Sequence, residues 1–194
     1  MEKRVILVTG TPGVGKTEIA KKLSQELNAE YINLTELAKI AHLELCLDKQ
    51  RETKVIDELR MRRKIRTILE KSATSVIIDG HYAAAVAPAK LVGYVFVLRR
   101  NPLELKETLR KRGYSDAKQK ENVSSEILDV CLVEAVQKQK AALVCEVDVS
   151  GKRPEETIIE ISNILAGKSE CRTGIVDWLG LLEKEDKISE YFEM

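Results

Sequence analysis

Residues 10 to 17 read GTPGVGKT, a match to G-x-x-x-x-G-K-[ST] that lies between a short apolar run, Val5 to Val8, and a segment whose Ile19, Ala20 and Leu23 share one helical face. This stretch constrains the fold most, because its chemistry requires a strand, a tight loop and a helix in that order. Gly13 and Gly15 let the backbone N–H groups of residues 13 to 18 turn inward around phosphate oxygens, where a side chain would clash. The helix that follows adds the positive end of its dipole. Lys16 supplies a point charge to the β- and γ-phosphates, and the Thr17 hydroxyl suits a Mg²⁺ that bridges them. The candidate ATP-binding residues are therefore Gly13, Val14, Gly15, Lys16, Thr17 and Glu18.

Beyond this loop, apolar runs and helical patterns alternate. Tyr31 to Leu34 reads as a second strand, with Thr35 as cap of a helix holding Leu37, Ala38 and Ala41. A charged helix is expected over 51 to 71. Ser75 to Ile78 and Tyr94 to Leu98 are continuous apolar runs, as in strands covered on both faces of a parallel sheet. Asn101 then caps a helix with Pro102 at its first position and Glu104 three residues after the cap, and Gly113 supplies the stop. One long helix over 116 to 138, a strand over 143 to 149 and a helix from Pro154 to about Gly167 complete the series. The pattern predicts a doubly wound α/β sandwich on five parallel strands.

The stretch VIIDGHYA, Val76 to Ala83, delivers a carboxylate to the end of a buried strand. If the chain stays extended past Ile78, Asp79 and His81 point to the same side, toward the phosphate loop. Asp79 is then a candidate to hold Mg²⁺ through its water shell. Neutral His81 either orients a water for ATP hydrolysis or ties down the loop backbone.

Composition excludes several classes. The chain has 194 residues, 32% of them charged, a net charge of +1 and no apolar run near the ~20 residues that cross a bilayer, so a cytoplasmic protein with no membrane partner is expected. Near-zero net charge removes a global pull toward nucleic acid. Cys46, Cys131, Cys145 and Cys171 lie far apart without a C-x-x-C pair, so free thiols are expected, not a zinc site or a disulfide framework. No N-K-x-D motif of a switch GTPase is present, which favours a small phosphotransferase.

Lys111 to Asn122, KRGYSDAKQKEN, falls between two helices where small kinases carry a mobile lid. Arg110 and Arg112 either meet the donor phosphates there or sit solvated at a helix end. Together, GTPGVGKT, IIDGH and KRGYSDAKQKENVSSEI resemble the atypical adenylate kinase family of archaea and eukaryotic nuclei, over about residues 4 to 165. The resemblance implies a P-loop nucleoside monophosphate kinase-like three-layer sandwich, with an acceptor-binding region near 33 to 56, a lid near 111 to 121 and Arg112 on ATP. It also implies conversion of ATP and AMP, or another monophosphate, to diphosphates with Mg²⁺; ATPase activity; and a place in small ribosomal subunit maturation beside a platform ribosomal protein. The catalytic candidates are Lys16, Asp79, His81 and Arg112, with Thr17 and Asp79 toward the metal.

Two segments stand outside this scheme. RMRRKIR, Arg60 to Arg66, carries five cations on a helix that also keeps an apolar stripe of Met61, Ile65, Ile68 and Leu69. Its charges are compatible with a wet face, with the acceptor phosphate or with ribosomal RNA. After residue 167, Ile175, Trp178, Leu179 and Leu182 fall at helical spacing, followed by Ile188, Tyr191 and Phe192. This C-terminal helical extension, 168 to 194, either packs on the kinase domain, 1 to 167, or docks a partner.

Overall fold

The computed structural model describes residues 4–48 and 53–192. Alternation of apolar side chains along β1 (Val5–Thr9) sends Val5 and Leu7 to one face of a sheet and Ile6 and Val8 to the other. The same two-sided burial holds in β5 (Val76–Asp79) and most of β6 (Val92–Arg99), which flank β1 in parallel. With β2 (Glu30–Asn33) and β7 (Val144–Asp148) they form a five-stranded parallel sheet in the order β2-β5-β1-β6-β7. The expected three-layer sandwich is present.

One core joins the sheet to α1 (Lys16–Glu26), α5 (Pro102–Lys111), α6 (Asp116–Ile127), α8 (Pro154–Leu165) and α9 (Trp178–Lys184). The other joins it to α2 (Leu34–Ile40), α3 (Glu58–Lys71), α4 (Ala83–Val86) and α7 (Val130–Lys138). In the C-terminal stripe, Trp178 and Leu182 are buried with Tyr191, whereas Ile175 and Leu179 are exposed. Ile188 and Phe192 are partly buried against the same core, so the segment packs on the body through most of its apolar side chains.

Several local expectations are corrected. The helix expected over 51 to 71 begins only at Glu58, capped by Asp57; before it, β3 (Glu44–Asp48) and β4 (Thr53–Ile56) pair antiparallel. The β-branched residues of TKVI favour extended backbone, and the charge-rich surroundings hid that preference. Arg51 of the acceptor region lies outside the described residues. The cap of α2 is Asn33, whose side chain accepts from the Glu36 N–H, so Thr35 lies inside the helix. The long helix over 116 to 138 is broken at Asp129, which adopts φ 57 and leaves two helices. Glu104 turns away from the cap of α5 and accepts from Gly151 N at 3.2 Å.

The cysteines are also corrected. Cys145 of β7 and Cys171 form a disulfide across 26 residues, because the chain after α8 returns along β7, where Glu146 N donates to Arg172 O at 2.7 Å. Linear spacing carries no trace of that return. Cys46 and Cys131 are free. Thiol titration of the unfolded, unreduced chain should find two of four cysteines reactive, and reduction should cost about 3–4 kcal/mol of stability through the enlarged unfolded ensemble. Four reactive thiols in the oxidised protein would contradict the pairing.

Candidate active site

The phosphate loop leaves β1 beneath two elements that admit no side chain. A Cβ on Gly10 would lie 2.4 Å from the Leu98 carbonyl oxygen, and one on Gly13 would lie 2.9 Å from both Leu105 Cδ1 and Leu109 Cδ2. Gly15 has open space around it but takes φ 107, a left-handed conformation that L residues resist. It is the N-cap of α1, which has no side-chain cap, so the first N–H groups of that helix are left to meet an anion. Val14 is buried beneath the loop, while Glu18 is exposed and pairs with Lys22 at 3.4 Å.

Lys16 Nζ donates to the Thr11 carbonyl at 2.9 Å, which curls the side chain back over its own loop. Burial lowers the ammonium from its ordinary pKa, with the Arg112 cation adding in the same direction and Asp79 and Glu126 opposing. A polyphosphate supplies the opposite charge that such a site favours. Arg112, at the elbow between α5 and α6, lies within electrostatic reach of Lys16. Arg110 instead pairs with Glu107 at 2.9 Å in solvent, so the reading of it as a solvated helix-end residue describes this conformation.

Asp79 is buried, and its Oδ2 accepts three hydrogen bonds: from Thr17 Oγ1 at 2.7 Å, Asn33 Nδ2 at 2.8 Å and the Tyr31 hydroxyl at 2.9 Å. The parallel register sets this cluster, since β2 pairs Asn33 directly with Asp79 while β1 pairs Val8 with it. Tyr31 and Asn33 are two residues apart on one strand and so share a side. Burial pushes the Tyr31 phenol up to about 12, which keeps it a donor. Among the described residues Asp79 Oδ1 accepts no protein hydrogen bond, so one carboxylate oxygen and the Thr17 hydroxyl fit a hard cation that keeps most of its ligands as water and phosphate. No cluster of three acidic, His or Cys side chains suited to hold a metal alone occurs among the described residues.

The extended arrangement expected for Asp79 and His81 is not found, because β5 ends at Asp79 and Gly80 and His81 form a turn. The turn is close-packed: a Cβ on Gly80 would meet Leu34 Cδ1 at 2.7 Å. Thr9 Oγ1 donates to the His81 carbonyl at 3.0 Å, and the ring meets Tyr82 edge-on at 4.9 Å between centroids. His81 still shares the cleft with Asp79 and Lys16. Desolvation lowers its pKa, followed by the Lys16 and Lys118 cations, with Asp79 opposing. The value falls to about 4, so the imidazole is neutral at pH 7.

The support of the loop carries no sequence motif. Glu126 is buried and accepts from Thr11 Oγ1, from Arg99 Nε at 2.8 Å, from Arg100 N at 3.1 Å and from Trp178 Nε1 at 3.2 Å. Buried Arg99 also pairs with Glu146 and Asp129, and Glu146 Oε2 accepts from Ile175 N at 2.8 Å. This network joins the phosphate loop, α6 and the C-terminal segment. Its members are scattered in the chain, and only the unusual density of charge at the ends of β6 and β7 hints at it.

Comparison with known proteins agrees with this geometry. The AAA domain family matches residues 6–129. The chain is 40% identical over 187 residues to a Thermococcus onnurineus protein named "Putative adenylate kinase", covering 96% of each. It is 41% identical over 173 residues to the Methanocaldococcus jannaschii protein of that name, covering 89% of this chain and 92% of the relative. Among solved structures, shikimate kinase from Acinetobacter baumannii in complex with shikimate superimposes with TM-score 0.60 at 15% identity over 87% of this chain and 96% of that one. Shikimate kinase from Bacteroides thetaiotaomicron gives TM-score 0.55 at 20% identity over 84% and 98%, and at such identities the likeness is one of fold. On a loop that cradles phosphate and on relatives that span nearly its whole length, the chain belongs to the adenylate kinase-like family of P-loop proteins.

Proposed function

We propose that this protein transfers the γ-phosphoryl group of Mg²⁺-bound ATP to a nucleoside monophosphate, with AMP as the first acceptor to try. The observation that carries the reading is the contact of Thr17 Oγ1 with Asp79 Oδ2 beside the GTPGVGKT loop, with Arg112 within electrostatic reach of Lys16. In this scheme Gly13, Val14, Gly15, Lys16, Thr17 and Glu18 frame the nucleotide phosphates and Lys16 holds the β- and γ-oxygens. Arg112 closes over the migrating group and excludes water. Thr17 and Asp79 would hold Mg²⁺, which supplies charge neutralisation between the phosphates. The elbow near 111 to 121 serves as lid and the region near 33 to 56 as acceptor arm. The kinase domain of residues 1 to 167 then carries the chemistry, with the C-terminal extension braced against it through Trp178, Leu182 and Tyr191. Purified protein given ATP, AMP and Mg²⁺ should yield two ADP per AMP consumed; no turnover with any nucleoside monophosphate would sink the reading.

A second activity, ATP hydrolysis, is favoured by the neutral His81 in the same cleft, which can accept a hydrogen bond from water. His81→Ala should lower ATPase turnover more than phosphoryl transfer to AMP, and an unchanged ATPase rate would refute the role. The sign of its titration gives an independent check. From about pH 6.5 down to about 4 the unfolded chain binds a proton that folded His81 resists, so stability falls on acidification through that window. His81→Ala should lose less stability between pH 7 and pH 5 than the parent in paired urea titrations. The resemblance in the lid and loop motifs supports a role in small ribosomal subunit maturation, beside a platform protein and ribosomal RNA in the cytoplasm. A co-purifying small-subunit protein whose retention differs between ADP and ATP would support that role.

A further inference from the structure

A cavity of about 640 Å³ runs beside α4 and reaches the end of the sheet opposite the phosphate loop, where β6 begins. Arg62 and Arg66, one turn apart on α3, line one side; Lys90, just before β6, and Lys138, at the end of α7, line the other. Its floor is Ala84, Ala85, Ala87 and Pro88, and Glu70 is its one carboxylate. The length of β6, on the order of 25 Å, separates its lower rim from the loop end of the sheet.

Four cations against one acid is a strong local excess in a chain whose net charge is +1. Several basic groups elsewhere are matched: Lys22, Lys118, Lys152, Arg153, Arg172 and Lys187 pair with carboxylates. Among the described residues no side-chain ion pair or hydrogen bond holds Arg66, Lys90 or Lys138, although Glu134, one turn before Lys138 on α7, lies within its electrostatic reach. Arg62 is held at the rim by its donation to the Ala85 carbonyl at 2.6 Å. The neighbouring backbone is stiffened, since buried Gln139 donates to the carbonyls of Ala84 at 2.7 Å and Ala87 at 3.1 Å. Apart from Leu91 the rest of the lining is small, Ala89 joining the three other alanines and Pro88, which leaves room for an anion among the cations. Like charges converging on one concavity repel unless an anion enters, and several donors at separate angles suit an anion carrying more than one negative charge.

We propose that this cavity is a second, non-catalytic site for phosphate groups, taking a polyphosphate or the phosphodiester backbone of a nucleic acid. The test uses the full chain with its phosphate loop saturated by Mg²⁺ and a non-hydrolysable ATP analogue. Tripolyphosphate and a fluorescent single-stranded RNA are then titrated separately. Binding of either probe should persist and weaken at least tenfold in the double variant Arg66→Glu with Lys138→Glu, while analogue affinity stays within twofold. Tripolyphosphate binding identifies a small ligand, and RNA binding without it a polynucleotide. In the RNA case neutralising four phosphates gives a salt slope of about −3, which the double variant should flatten. If the charge reversals impair folding, Arg66→Gln with Lys138→Gln should still weaken the probe several-fold. Failure of both probes to bind the saturated protein, or equal binding by parent and both variants, overturns the proposal. The analogue titration reports separately on the phosphate loop, so failure of that site is recognised on its own.

Discussion

Replacing Lys16 with alanine is expected to lower ATP-dependent phosphoryl transfer by about two to three orders of magnitude while leaving the fold nearly unchanged. The rate falls because no other described cation lies inside the phosphate loop, and the charge is needed most when the phosphoryl group is in flight. The fold persists because Lys16 Nζ makes one hydrogen bond, to the Thr11 carbonyl at 2.9 Å, worth about 1 kcal/mol. Burial already lowers the pKa of this ammonium, so removing it relieves a cost as well as breaking a bond. Steady-state kinetics with ATP and AMP, paired with a thermal melt, decide the matter. Turnover within tenfold of the parent would mean that phosphoryl transfer does not run through this loop.

Glu126→Ala should have the largest effect on stability, a loss of about 3–5 kcal/mol. One carboxylate accepts from the Thr11 hydroxyl, the Arg99 guanidinium, the Arg100 N–H and the Trp178 indole, all in an interior where water cannot substitute. Arg99 would keep Glu146, Asp129 and the Glu126 carbonyl, which bounds the penalty from above. For a chain of 194 residues the melting temperature should fall by on the order of 10 °C. Glu126→Gln, which keeps an acceptor oxygen, should lose clearly less. The loss should also appear in function, as weaker ATP binding, because Thr11 belongs to the phosphate loop. A urea titration showing less than about 1 kcal/mol lost would demote the cluster to a passive contact.

The same network explains why the C-terminal segment is not a detachable arm. Trp178 and Tyr191 are buried against the body and Ile175 N is held by Glu146, so deleting everything after Gly167 would open the core that braces the loop. A docking role is better tested at the side chains of Ile175 and Leu179, which remain exposed.

The regular framework was legible because its signals are local. Two-sided apolar runs mark β1, β5 and β6, and Asn101 with Pro102 marks the start of α5, where Asn101 does accept from Leu103 N at 2.9 Å. The strand–loop–helix order around GTPGVGKT belongs to the same class, since a backbone cradle for phosphate needs glycines at set positions whatever surrounds them. What failed were places where a local preference lost to packing. Asp129 takes φ 57 and splits one helix into two, and a disulfide joins Cys145 to a chain that returns 26 residues later.

The candidate site divides along the same line. By itself the sequence determined the phosphate loop, the acid at the end of a buried strand and the cationic elbow, because each is written in contiguous residues whose chemistry is intrinsic. Only the tertiary structure decided that Tyr31 and Asn33 hold Asp79, that Glu126 holds Thr11, and that His81 shares the cleft from a turn rather than from an extended strand. Those facts depend on the register between parallel strands distant in the chain and on the return of the C-terminal segment. Hydrogen bonds between such residues leave no periodicity to read.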